Sequence, residues 1–132
     1  MIVLDASVIL EILFNTPRSV AARAAIFAHR ETLHVPHLTD LEVLQALRRY
    51  LSSKTIDQAR ALQALEDYMD LPLTRYPHSL FVPRIWELRH NLTAYDAAYI
   101  ALAEALSAPL LTCDQALASV RGHDARVRML GS

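Results

Sequence analysis

Four acidic residues, Asp5, Glu42, Asp96 and Asp114, stand where a fold buries or aims side chains. Asp5 ends the apolar run Ile2-Val3-Leu4, and Asp114 follows a second run, Leu110-Leu111-Thr112-Cys113. Both runs read as buried strands. In an open parallel sheet, ligands collect beyond the carboxyl ends of the strands, so acids ending two neighbouring strands face one crevice. Two carboxylates about 4 Å apart repel by roughly 4 kcal/mol at an effective dielectric of about 20. Such a cluster must take up protons or cations, and a hydrated Mg²⁺ or Mn²⁺ is the natural occupant.

Each acid also has a plainer role open to it. Asp5 suits a turn or a helix N-cap, and Asp114 suits the N-cap of a following helix. Glu42 lies early in a helix, where negative charge favours the dipole, although Asp40 serves that purpose as well. Asp96 follows Thr93 by three residues, the spacing of a capping box. The joint arrangement favours a shared site: two acids end strands, and two fall in the first turn of largely apolar helices. Carboxylates are scarce on buried surfaces unless paired or metal-bound.

The elements that would carry these residues alternate between short strands and longer helices. That alternation predicts an α/β layer structure with a mainly parallel sheet. Strand patterns cover about 2–5, 32–35 and 73–75, with another beginning after Pro109 and a last one near 126–130. Helical patterns cover 7–14, 17–29, 37–51, 55–69 and 77–90, the last with Pro83 in its first turn or at a kink. Residues 94–106 form a helix apolar almost all round, which predicts burial on most sides. A short helix begins at Asp114. On the third helix Leu41, Leu44, Leu47 and Leu51 recur at helical spacing. No repeat or low-complexity tract divides the 132 residues, so one domain is expected over 1–132.

Composition narrows the class. A chain that is 53% hydrophobic is not disordered. No apolar stretch reaches the roughly 18 residues of a membrane span. The chain opens directly on a core strand rather than a secretory leader, and Cys113 is its one cysteine; both fit a reducing cytoplasm. Thirteen basic and fourteen acidic residues nearly cancel, so no broad basic surface is expected. Setting the four candidate acids aside leaves thirteen bases against ten acids, a basic remainder able to hold phosphates.

Other chemistries lack their parts. With Gly122 and Gly131 as its two glycines, the chain has no phosphate-cradling P-loop and no dinucleotide fingerprint. It has neither a G-x-S-x-G elbow nor an H-E-x-x-H helix. His34 and His37 flank Pro36 without helical ligand spacing and read as surface or loop histidines. Trp86, Phe81 and Tyr76 read as core aromatics first and as base-stacking groups second. Arg48 and Arg49, on the Glu42 helix, are the better phosphate contacts.

The segments Leu4-Asp5-Ala6-Ser7, Glu42 in an early helix, Leu92-Thr93-Ala94-Tyr95-Asp96-Ala97-Ala98-Tyr99 and Leu111-Thr112-Cys113-Asp114 together resemble the PIN-domain ribonucleases. More narrowly, they resemble the VapC toxins of toxin–antitoxin modules, and the resemblance runs over essentially the whole chain. It implies a three-layer α/β/α sandwich around a central parallel sheet and an endoribonuclease dependent on Mg²⁺ or Mn²⁺. Carried over by position, Asp5, Glu42, Asp96 and Asp114 form the metal-binding quartet, with Ser7 and Thr112 as hydroxyls beside it. Asp5 and Asp96 are the expected direct ligands, and Asp114 and Glu42 bind directly or through water. Either Glu42 or Asp114 accepts the proton of the attacking water. Gln115 stands where some relatives carry another acid, so one ion is the expected resting state.

The same resemblance implies an RNA substrate, a homodimer and a VapB-like antitoxin, for which the helices between Pro17 and Met69 offer an apolar groove. An antitoxin arginine reaching the quartet would compete with the metal. Two other readings remain: a phosphohydrolase of small phosphate esters, and a binding module without catalysis. The first needs a second aspartate two residues after Asp5, where the chain has Ser7.

Overall fold

A computed structural model describes residues 1–27 and 30–131. Five strands, β1 (Ile2–Leu4), β2 (Leu33–Pro36), β3 (Leu73–Tyr76), β4 (Leu110–Thr112) and β5 (Val127–Met129), form one sheet in the order β3-β2-β1-β4-β5. Every pairing in it is parallel. The order reverses direction between β1 and β4, the place where a crevice opens beyond the strand ends. Val3 is opposite His34 on one side and Leu110 on the other, which brings the ends of β1 and β4 level.

Alternation along β1 explains the layers. Ile2 and Leu4 enter a core with Val8, Ile9, Ile26, Val43 and Tyr68, whereas Val3 enters a second core with Leu88, Ile100 and Leu117. A strand covered on both faces reads as an unbroken apolar run, which is what Ile2-Val3-Leu4 is. The first core is roofed by α1 (Ala6–Leu13), α2 (Ser19–Phe27), α3 (Leu38–Ser52) and α4 (Gln58–Asp70). The second is roofed by α5 (Val82–Glu87), α6 (Ala94–Leu106) and α7 (Gln115–Ser119). The result is the three-layer α/β/α sandwich. The expected end of α2 at His29 falls outside the described residues.

Helix α6 is buried continuously from Ala97 to Ala103. Its small alanines let it lie close against the sheet, and Tyr99 and Ile100 supply bulk with no exposure. Thr93 caps it by accepting the Asp96 N–H at 3.2 Å. The expected helix over 77–90 is instead a 3-10 turn, His78–Phe81, followed by α5 with Pro83 at its start, where the missing N–H costs no helical bond.

The structure decides which side of the α3 leucine stripe is buried and corrects the readings of the aromatics and of His34. Leu41, Leu44 and Leu51 are 70%, 44% and 39% exposed, and only Leu47 of that stripe is buried. The buried face of α3 is Leu38, Thr39, Val43, Ala46 and Leu47, rotated from the leucine stripe. Trp86 lies on the surface with Arg89 stacked over it at 4.4 Å, because α5 is a short outer helix with no residue buried. Tyr76 and Phe81 are only partly buried at the edge of the second core. His34 is buried rather than on the surface, satisfied by Thr32 at 2.8 Å and the Tyr76 hydroxyl at 2.7 Å.

Candidate active site

The chain leaves β1 at Leu4 and turns at once into α1, so Asp5 occupies the N-cap position with extended backbone angles. Its side chain does not cap the helix. Instead Oδ2 accepts two hydrogen bonds, from Ser7 Oγ and from Thr112 Oγ1, each at 2.8 Å. Both hydroxyls also accept a backbone N–H from the turn after β4: Ser7 from Cys113 and Thr112 from Asp114, each at 3.0 Å. Each hydroxyl therefore has one role as donor and one as acceptor, and together they tie the end of β4 to the end of β1. With both donors on Oδ2, no hydrogen bond among the described residues reaches Oδ1 of Asp5.

Glu42 projects from α3 and Asp96 from α6, and one buried tyrosine links the two helices. The Tyr99 hydroxyl donates to Glu42 Oε1 at 2.6 Å and contacts Thr39 Oγ1 at 2.8 Å. Tyr99 and Thr39 are both completely buried. Burial raises the Glu42 carboxyl above its ordinary pKa, the Tyr99 hydrogen bond opposes that rise, and the charges of Asp5 and Asp96 add to it. Asp96 is raised first by burial and then by the charges of Asp5 and Asp114. Tyr99 itself is pushed far up by burial and by Glu42, so it remains a donor.

The plainer roles hold only in part. Asp114 is an N-cap in fact: its Oδ1 accepts the Ala116 N–H at 2.9 Å at the start of α7. Asp96 shows half of a capping box, with its N–H bound to Thr93. Glu42 is the fifth residue of α3 rather than a first-turn residue, and Asp40 holds the first turn. Asp40 is taken up elsewhere, by Arg75 Nε at 2.9 Å and the Tyr68 hydroxyl.

All four acids line one open cleft of about 490 Å³, together with Ser7 and Arg49. Thr112 stands behind the wall, fully buried, and touches the cleft acids through Asp5 and the backbone of Asp114. Glu42, Gln45 and Arg49 share one face of α3 at helical spacing, so Arg49 brings a cation to the rim. Among the described residues none of the four acids is ion-paired.

Among the described residues no three His, Cys, Asp or Glu form a ready-made cage for a metal ion. The donor set decides what such a cleft fits. Carboxylate and hydroxyl oxygens without imidazole or thiolate suit a hard cation, and Mg²⁺ keeps several waters while using one or two carboxylates directly. An open array of mutually repelling acids, with Asp5 Oδ1 unbound, meets that requirement. A closed tetrahedral zinc site needs nitrogen or sulfur ligands that the cleft does not contain.

Tyr99 and Thr39 were not among the candidate site residues from sequence. The usable signal was spacing: Tyr99 follows Asp96 by three residues on a helix of small apolar residues, and Thr39 precedes Glu42 by three.

Comparison with known proteins agrees with this geometry. The PIN domain family model matches residues 2–123. Ribonuclease VapC12 of Mycobacterium tuberculosis is 38% identical over 130 residues, covering 98% of this chain and 99% of that protein. Ribonuclease VapC9 of the same organism is 47% identical over 114 residues, 86% of each chain. Among solved structures, PAE2754 from Pyrobaculum aerophilum superposes with a TM-score of 0.64 at 27% identity, covering 88% of this chain and 81% of its own. VapBC2 from Rickettsia felis, bound to a DNA fragment from their promoter, gives a TM-score of 0.68. At 14% identity over 99% of this chain and 100% of that one, it speaks for the fold. The chain belongs to the PIN-domain family and, within it, to the VapC ribonucleases.

Proposed function

We propose that residues 1–132 form a single nuclease domain, the toxin of a toxin–antitoxin pair, and that the acidic cleft hydrolyses RNA with Mg²⁺ or Mn²⁺. The observation that carries the reading is the convergence of Asp5, Glu42, Asp96 and Asp114 on one cleft at the point where the sheet order reverses. Asp5 and Asp96 would hold the ion directly, with Asp114 and Glu42 binding it directly or through water. When bound, such an ion would supply a water of lowered pKa and neutralise charge on the phosphodiester. Glu42 would accept a proton from such a water: burial makes it a stronger base than an ordinary carboxylate, and Tyr99 binds its Oε1, leaving Oε2. Asp114 is the lesser candidate because one of its oxygens already caps α7. Ser7 and Thr112 keep Asp5 fixed in orientation. Arg49 reaches a substrate phosphate from the rim.

Partners follow from the kinship and from exposed apolar surface. A groove between α3 and α4, lined by Leu44, Leu51, Leu62 and Leu65, fits the apolar face of a VapB-type antitoxin helix. The outward face of Leu80, Val82 and Trp86, 57–66% exposed, supports a homodimer. No helix among the described residues is long and apolar enough to cross a membrane, and a chain with one cysteine suits the cytoplasm.

The test is cleavage of total RNA by antitoxin-free protein with Mg²⁺, Mn²⁺ or EDTA, beside Asp96→Asn. Discrete metal-dependent fragments absent in the variant are expected. A folded, metal-binding protein that leaves RNA intact would turn the reading toward another phosphate ester or a binding role.

A further inference from the structure

We propose that Tyr99 is a positioning residue of the acidic cleft, setting Glu42 against Asp96 by a single buried hydroxyl. The inference rests on the metal-dependent ribonuclease reading given above. Its geometry joins two helices that approach the cleft from different directions. On α6, Asp96 and Tyr99 are three residues apart, and on α3, Thr39 and Glu42 are three residues apart. The tyrosine hydroxyl meets both partners on α3, at 2.6 Å from Glu42 and 2.8 Å from Thr39.

Proton counting fixes the direction of the chain. An ionised Glu42 has no proton to give, so the one hydroxyl hydrogen of Tyr99 goes to Glu42. The Thr39 hydroxyl must then donate to the Tyr99 oxygen. Thr39 has no exposure and its hydroxyl makes no other hydrogen bond among the described residues, so that hydroxyl has no competing partner. The ring is fully buried within the second core, a cluster that also holds Leu38, Leu88 and Leu102. A long, mobile glutamate is thereby held by a rigid donor, with Oε2 left to face the cleft. Partners that orient a metal-binding carboxylate characteristically alter metal affinity by roughly 10- to 100-fold when lost.

The experiment measures Mn²⁺ affinity by electron paramagnetic resonance on RNA-free protein, together with kcat and KM for RNA cleavage and the thermal midpoint. Tyr99→Phe is expected to weaken Mn²⁺ binding by roughly 10- to 100-fold and to lower kcat, with KM for RNA little changed. Thr39→Val leaves the Tyr99–Glu42 bond in place, and is expected to lower the midpoint without that loss of affinity. In a Glu42→Gln background, Tyr99→Phe should add nothing further. Equal loss of stability in both single variants with unchanged Mn²⁺ affinity would overturn the proposal. So would a Tyr99→Phe effect that persists undiminished in the Glu42→Gln background.

Should Tyr99→Phe fail to fold, the unaltered protein still decides. Proton NMR of the buried Tyr99 hydroxyl should show it shifting as Mg²⁺ is added, and an unresponsive resonance would refute the coupling. A wild-type protein that cleaves no RNA defeats the ribonuclease reading, whereas cleavage with a silent Tyr99→Phe defeats only the role of Tyr99.

Discussion

Thr112 and Asp5 lie 107 residues apart in the chain, and the Thr112 hydroxyl donates to Asp5 Oδ2 at 2.8 Å. The same hydroxyl accepts the Asp114 N–H, so one fully buried atom couples two of the four cleft acids. Valine has the same shape but offers neither a donor nor an acceptor. Losing a buried hydrogen bond costs about 1–3 kcal/mol, which in a chain of this length lowers Tm by roughly 4–10 °C. Thr112→Val should therefore melt earlier and cleave RNA more slowly, and Thr112→Ser should recover most of both. Unchanged melting and cleavage in the valine variant would show that Asp5 needs no support from β4.

Glu42 illustrates a conflict between folding and function. Its folded-state pKa lies above its ordinary value because burial and the charges of Asp5 and Asp96 disfavour the ionised form. A raised carboxyl loses folding stability as pH climbs through the unfolded value toward the folded one. Below the unfolded value that loss is absent. Without metal, Glu42→Gln should be more stable than wild type at pH 7 by a few degrees in Tm, and equal to it near pH 3. The introduced amide would keep an oxygen to accept from Tyr99, so the gain reports charge removal. Melting curves in EDTA across pH decide this, and a variant less stable at pH 7 would contradict it.

Periodicity and strand-end chemistry made most of the fold legible. Ile2-Val3-Leu4 and Leu110-Leu111-Thr112 are continuous runs because both faces of each strand are covered, and the helix expected over 94–106 is α6 with the same bounds. What the pattern did not reveal is which apolar stripe faces inward. On α3 Leu41, Leu44 and Leu51 point outward, while Leu38, Thr39, Val43, Ala46 and Leu47 are buried, and Thr39 is held there by the Tyr99 hydroxyl. The four acids were readable as types at strand and helix ends. Ser7 and Thr112 were expected beside the quartet from the resemblance, whereas the Tyr99 contact with Glu42, across 57 residues, was not anticipated.

Far from the cleft, Arg84 grips both oxygens of Glu104 at 2.8 Å each, and Glu104 Oε2 also accepts the Asp124 N–H at 2.8 Å. These bonds hold the loop that leads into β5 against α6. The Arg84 hydrogen bonds are the main cause that keeps the Glu104 carboxyl below its ordinary pKa. A depressed carboxyl contributes stability above its unfolded value and loses it as pH falls through the folded value. Glu104→Gln should cost about 1 kcal/mol at pH 7, a figure kept small because Arg84 is 34% exposed. The difference from wild type should shrink as pH falls below the ordinary glutamate value and disappear at still lower pH. A gap that stays constant with pH, measured by urea unfolding, would mean that packing rather than charge carries the contact.

Arg49 separates substrate binding from chemistry. It shares the cleft wall with the four acids but makes no ion pair among the described residues, so its charge is available to a phosphate. An acidic cleft repels RNA before metal is bound, and a cation on the rim offsets that repulsion without occupying the position of the metal. Arg49→Ala should raise KM for RNA and leave kcat within a factor of about two. It should also reduce the slope of log KM against log salt by about one, as expected for one lost phosphate contact. Arg49→Lys should restore the slope more fully than the affinity, because a point charge neutralises a phosphate but does not grip it with two parallel bonds. If Arg49→Ala instead lowered kcat with KM and salt dependence unaltered, the guanidinium would be acting on the departing oxygen. Arg49 would then belong to the chemistry rather than to the grip on the strand.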